Sequence, residues 1–174
     1  MSSTRSILAI LVLVIPLTAG CRCGSGMGDD HASLEGASVM ARAFWLDVLR
    51  GDHATAEQHL ATGAEIRAAL EGWGRIMNEP FDEAKLQSEV DATYARLHGR
   101  WAGIKSGKEP IPDGLDARGI ETADTIVGNK MFIAPSVSYI QRLTLTGPGV
   151  DPGKARVAGA VRVGGGAWKI LWLP

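Results

Sequence analysis

The sequence predicts an α+β domain in which N-terminal helices pack on a C-terminal curved antiparallel sheet. Three observations carry that expectation. Apolar residues recur at three- and four-residue spacing from Leu34 to about Ile104, the period of an amphipathic helix. From Thr125 onward the pattern changes to short runs rich in Val, Ile and Thr, separated by Gly and Pro. Two of those runs, Ala155–Val163 and Ala167–Leu173, are joined by Gly164-Gly165-Gly166, a strong hairpin signal. A single domain over 34–174 is expected, with no internal repeat and no second domain.

The chain opens differently. Arg5 sits in a short polar start, and an uncharged apolar run follows from Ile7 to Leu17. Small residues then lead to a cysteine in Leu17-Thr18-Ala19-Gly20-Cys21. A cationic start, roughly 7–15 apolar residues and a small-residue cleavage zone are the parts of a secretory signal. A spanning helix needs about 20 apolar residues, so this run is short for one, and Pro16 interrupts its end. Residues 1–20 are therefore read as a signal peptide. The zone before Cys21 resembles a lipobox, the motif of bacterial lipoproteins, with Ala19 and Gly20 as its small residues and Thr18 where Leu is commonest. That resemblance implies removal of residues 1–20 and acylation of Cys21, which carries a diacylglycerol thioether and an amide-linked palmitate-type chain. Several chains on one residue anchor firmly where a single chain does not. Membrane lipid is then a partner through Cys21, and the address is the cell envelope, on the exported side of a bacterial membrane. Arg22 follows the cysteine in place of the Asp that marks inner-membrane retention in such lipoproteins, which favours the outer membrane. The alternative is ordinary cleavage after Gly20, releasing a soluble protein.

Arg22–Ser33 is dominated by Gly, Ser and Asp and reads as a flexible tether, so 21–33 forms a leash carrying the lipidated Cys21. Leu34–Arg50 is a helix showing Val39, Met40, Ala43, Phe44, Val48 and Leu49, with Gly51 as its stop. Asp52 caps a short second helix. Thr62-Gly63-Ala64-Glu65 has the form of a capping box opening a third, with Ile66, Leu70, Trp73 and Met77 on one face, ended by Pro80. Asp82–Gly99 is a fourth, displaying Leu86, Val90, Tyr94 and Leu97 and extending toward Trp101 and Ile104. Lys105–Ala117, with Pro110 and Pro112, is a loop. Strands follow at Thr125–Val127, Met131–Ala134, Val137–Thr146 and in the final hairpin.

Cys21 and Cys23 are too close for an easy disulfide, and the domain has no other cysteine. No zinc set, phosphate loop or nucleophile elbow is present, so no metal or cofactor is expected. Basic residues are not interleaved with aromatics as a nucleic-acid module needs, so no nucleic acid is expected either. Charge is uneven: residues 21–129 carry a net −7 and 130–174 a net +5. Pairing within the domain and presentation of two charged surfaces are both compatible with this. In the final strands, alternation places Arg142, Arg156, Arg162 and Lys169 on one face. That face could bind an anionic ligand or polymer; the alternative is a solvated outer face.

The helices leading into an antiparallel meander, the Gly51-Asp52 after the first helix, and the closing Ala167-Trp168-Lys169-Ile170-Leu171-Trp172-Leu173 resemble the nuclear transport factor two-like superfamily. The resemblance implies a cone formed by a sheet wrapped on a helix. Its catalytic members, isomerases, cyclases and hydrolases, place Asp or His in the cone. Here Val137–Leu145 and Ala155–Leu173 hold only Asp-free, Glu-free and His-free strands once the turn at Gly147 is left out. The expectation is accordingly a non-catalytic binding or interaction domain for an envelope protein, a cell-wall component or a small apolar ligand. The alternative is a cone-fold enzyme using carboxylates outside those strands, Glu79, Asp82, Glu121 or Asp124, facing an enclosed pocket near Trp73, Tyr94 or Trp101.

Overall fold

The computed structural model describes residues 26–79, 81–112, 115, 117–122, 124–127, 131–134, 137–146 and 156–174. The expected signal peptide, residues 1–20, and both cysteines lie outside them. The fold is α+β, with the helices preceding the strands as the spacing predicted.

The first helix, α1, spans Gly26–Arg50. It starts eight residues before Leu34, inside the stretch read as tether, which corrects the expected boundary. Its buried stripe is Ala37, Met40, Ala41, Phe44, Trp45 and Val48, while Val39 faces water at 59% exposure. The buried Trp45 indole N–H donates to the Val157 carbonyl at 3.0 Å, tying α1 to the sheet.

A short helix, α2 (His53–Glu57), is capped by Asp52, whose carboxylate accepts from the Thr55 backbone N–H at 3.1 Å. The third helix, α3 (Gly63–Ile76), opens on the capping box foreseen from Thr62 and Glu65. Its core side is small, Ala69, Gly72 and Gly74 beside Ile66. A Cβ on Gly72 would stand 3.3 Å from Val137, so its absence lets α3 lie close on the sheet. The fourth helix, α4 (Glu83–Lys105), is capped by Asp82 and buries Leu86, Val90, Leu97, Trp101 and Ile104. Tyr94, expected in that stripe, is instead exposed and stacks on His98 with ring centroids 4.0 Å apart. One more helical segment, α5 (Ala117–Thr122), falls just beyond the region read as loop.

The strands match the expected runs closely: β1 (Asp124–Val127), β2 (Met131–Ala134), β3 (Val137–Thr146), β4 (Arg156–Val163) and β5 (Lys169–Trp172). Strands β3, β4 and β5 form an antiparallel meander, and β1 and β2 pair with successive halves of β3 along its other side. The outer side of β5 is taken by residues 59–61: the Ala61 N–H donates to the Ile170 carbonyl and the Ile170 N–H to the His59 carbonyl.

Helices cover both faces of this sheet. Paired residues on neighbouring strands share a face, and successive residues alternate. On one face lie Ser138, Ile140, Ala158, Ala160 and Ile170; the last four have no exposed surface. This is the α1 side, where a Cβ on Gly36 would meet the indole of Trp168 at 3.1 Å. On the other face lie Val137, Tyr139 and Val161, crossed by α3. Among the described residues a sheet covered on both sides leaves little of either face to solvent, and that has consequences for the predicted sites.

Candidate functional site

The four-cation face does not assemble. Arg162 pairs with Ser138 and so belongs to the α1 side, whereas Lys169 pairs with Val161 and belongs to the α3 side. The earlier assignment rested on alternation within each strand; the hairpin register, which sequence alone did not fix, puts the two cations on opposite faces. Arg162 is half-buried, its guanidinium 5.4 Å from the Trp168 ring, and the Lys169 ammonium donates to the Gln58 carbonyl. Arg142 falls within the irregular stretch between Ile140 and Leu143. The side chain of Arg156 lies outside the described residues.

Of the four carboxylates suggested for catalysis, Glu79, Asp82 and Glu121 are exposed on separate parts of the surface. Asp82 is exposed and is consumed in capping α4, accepting from the Lys85 N–H at 2.8 Å. Glu121 is exposed and pairs with Arg50 at 3.0 Å. Glu79 is exposed in the turn after α3. Asp124 opens β1, with its side chain outside the described residues. Of the three aromatic residues expected near a pocket, Trp101 is buried in the core against Phe44 and His53, and Tyr94 is on the surface. Trp73 borders a cavity.

That cavity is a cleft of about 320 Å³ between α3 and the sheet, lined chiefly by Leu70, Trp73, Ile76, Phe81, Val137 and Leu171. Each wall has a separate cause. The capping box fixes where α3 begins, and its helical period turns Leu70, Trp73 and Ile76 toward the sheet beside the small Ala69 and Gly72. Thus Leu70 and Trp73, read from the sequence as part of a core seam with Ile66 and Met77, line a cleft, while Ile66 is fully buried in the core. The small Gly72 lies directly against Val137 of the sheet.

The facing wall comes from β3 and β5. Tyr139 and Gln141 supply the polar groups of the lining. The Tyr139 ring meets Trp73 edge to face at 6.1 Å. Burial raises its phenol above the ordinary tyrosine range, with the Trp172 indole N–H acting in the opposite, weaker sense. The phenol is therefore neutral at any physiological pH. Trp172 reaches this side because β5 shifts register between its pairings with Ala160 and Gly159. Its indole N–H donates to the Gln141 carbonyl at 2.8 Å across the open space left by Gly159. The Gln141 side chain is exposed at the mouth.

Trp73 was singled out by sequence; Phe81, Val137, Tyr139, Gln141 and Leu171 were not. Tyr139 and Gln141 carry a faint signal, two polar-tipped residues alternating with buried Ser138 and Ile140 on a strand. Nothing in that alternation names the helix that would face them.

A second cluster lies where α4 meets α2. The Glu57 carboxyl is held below the usual carboxylate range, first by the nearby Trp101 indole N–H and then by Lys105 at 3.5 Å. The Trp101 N–H is buried and approaches the carboxylate without making a hydrogen bond of ordinary geometry. The group reads as a helix-to-helix tie.

No family model, curated protein or solved structure matches the chain. Among the described residues no cluster of three or more His, Cys, Asp or Glu could hold a metal, and no helix is long and apolar enough to cross a membrane.

Proposed function

We propose that this chain is an exported lipoprotein, anchored through acylated Cys21 to a bacterial membrane, the outer one favoured, whose domain binds a small, mainly apolar molecule without transforming it. The anchor rests on the signal-like residues 1–20 and the lipobox-like approach to Cys21. The binding reading rests on one observation, the cleft beneath α3. Its volume of about 320 Å³ falls in the range of small-molecule sites, and apolar side chains with a few polar groups line it in the manner of such sites. Ile76 and Met77 are exposed at and beside its rim, adding apolar surface that water solvates poorly. Among the described carboxylates, neither Glu79, Asp82 nor Glu121 lines the cleft, which favours binding over acid–base chemistry there.

Two measurements test the two halves. Mass spectrometry of the mature N-terminus should find Cys21 acylated; an unmodified start at that residue sinks the anchor. An environment-sensitive apolar dye should bind the mature chain saturably, and Leu70→Asp should weaken that binding at least tenfold, because a carboxylate would be desolvated in the cleft wall. Dye binding unchanged by Leu70→Asp removes the cleft from the reading.

A further inference from the structure

Deepening the binding reading, on which it rests, we infer that the cleft selects an uncharged aromatic compound of about ten non-hydrogen atoms bearing one neutral hydrogen-bonding group. The size follows from the cavity volume, taking about 30 Å³ for each water-sized unit. The aromatic character follows from the walls. Trp73, Phe81 and Tyr139 all border the cleft, and Trp73 and Tyr139 stand at 82° to one another. A flat ring between such walls gains face and edge contacts that a flexible alkyl chain does not, and it surrenders less rotamer entropy on binding.

Neutrality follows from the lining charges. Among the described lining residues Tyr139 alone is titratable, and burial keeps it neutral. Lys85 stands 5.3 Å from the Phe81 ring centroid and Lys169 is tied to the Gln58 carbonyl, and neither lines the cleft. Glu71 and Arg75 lie beyond Phe81, bordering a smaller cavity, and are 3.6 Å apart in a pair of their own. An ionised ligand group drawn inside would lose its hydration without a counter-charge. The neutral polar group is met by Gln141. Its side-chain amide is exposed at the mouth and offers both a donor and an acceptor, a match for a hydroxyl, carbonyl or amide.

The test uses the mature chain, residues 21–174, with Cys21→Ala to remove the acyl chains while keeping every described residue. Calorimetric titrations at pH 7 compare 2-naphthol, 2-naphthoate and decan-1-ol. We expect 2-naphthol to bind about two- to tenfold tighter than decan-1-ol and at least about tenfold tighter than 2-naphthoate. Gln141→Leu should weaken 2-naphthol about threefold or more and leave naphthalene unchanged. Since Gln141 is exposed, that variant keeps the fold, and the naphthalene titration verifies it. Decan-1-ol binding as tightly as 2-naphthol overturns the aromatic class but leaves the binding reading standing. Equal or tighter binding of 2-naphthoate overturns the neutral class alone. An unchanged 2-naphthol affinity in Gln141→Leu overturns the role of the amide. Saturable binding of none of the three removes this inference, and if the environment-sensitive dye also fails, the binding reading goes with it.

Discussion

Gly159 shows how one missing side chain shapes the site. A Cβ there would stand 2.0 Å from the Trp172 indole nitrogen, so any other residue must expel the ring and break its hydrogen bond to Gln141. Gly159→Ala should therefore lower unfolding free energy by about 1–3 kcal/mol, the usual cost of overpacking. Gly165→Ala is the control, because open space surrounds that position. Urea denaturation of both variants checks this, and equal losses would contradict the packing argument. Tyr139 gives a second prediction. Its raised folded-state pKa means that the fold favours the neutral phenol. That contribution is fully present below the ordinary value of 10.0 and is lost as pH rises through the folded value. Ultraviolet titration should therefore show a phenolate transition above the ordinary tyrosine range, and Tyr139→Phe should remove it. None of these pairings was legible in the sequence: Gly159 and Trp172 are thirteen residues apart, and a register shift in β5 brings them together.

At the scale of elements the sequence was far more readable, because local patterns have local causes. The capping box at Thr62 is present, with the Glu65 carboxylate accepting from the Thr62 N–H at 2.8 Å. Thr62→Ala should cost about 0.5–2 kcal/mol in thermal or urea unfolding, and Thr62→Ser should recover most of it. If both variants lose the same amount, the hydroxyl is not the stabilising group. The helix of Asp82 and the five strands likewise fall near where capping residues and alternation placed them. The misses have physical reasons. The start of α1 was hidden because the glycines near residue 26 argue against helix more strongly than Asp29 and Asp30 argue for it. The outward turn of Val39 and Tyr94 was hidden because a helical stripe read by hydrophobicity cannot tell which apolar residue meets a partner.

Across the whole molecule, charge contributes less than composition suggests. The acidic first part and basic second part were expected either to pair or to present separate surfaces. The ion pairs among the described residues run between residues 47 and 121, within the helical part and its extension, as in Arg67 with Glu71 and Glu83, and Arg100 with Glu109. All keep at least partial contact with solvent, and such pairs contribute little and are screened by salt. Raising sodium chloride to about 1 M should consequently shift unfolding free energy by less than about 1 kcal/mol through these pairs; a loss of several kcal/mol would mean that charge holds the helices to the sheet. That task belongs to burial on both sheet faces and to contacts such as Trp45 with Val157. The sequence by itself determined the α+β class, the order of helices and strands, the caps of α2 and α3, and the expectation of a lipidated Cys21, since each depends on neighbouring residues. The tertiary structure decided which faces meet. Arg162 and Lys169 part company because hairpin register is a property of two strands, and Leu70, Trp73 and Ile76 line a cleft because small residues on α3 let the sheet come close beside them.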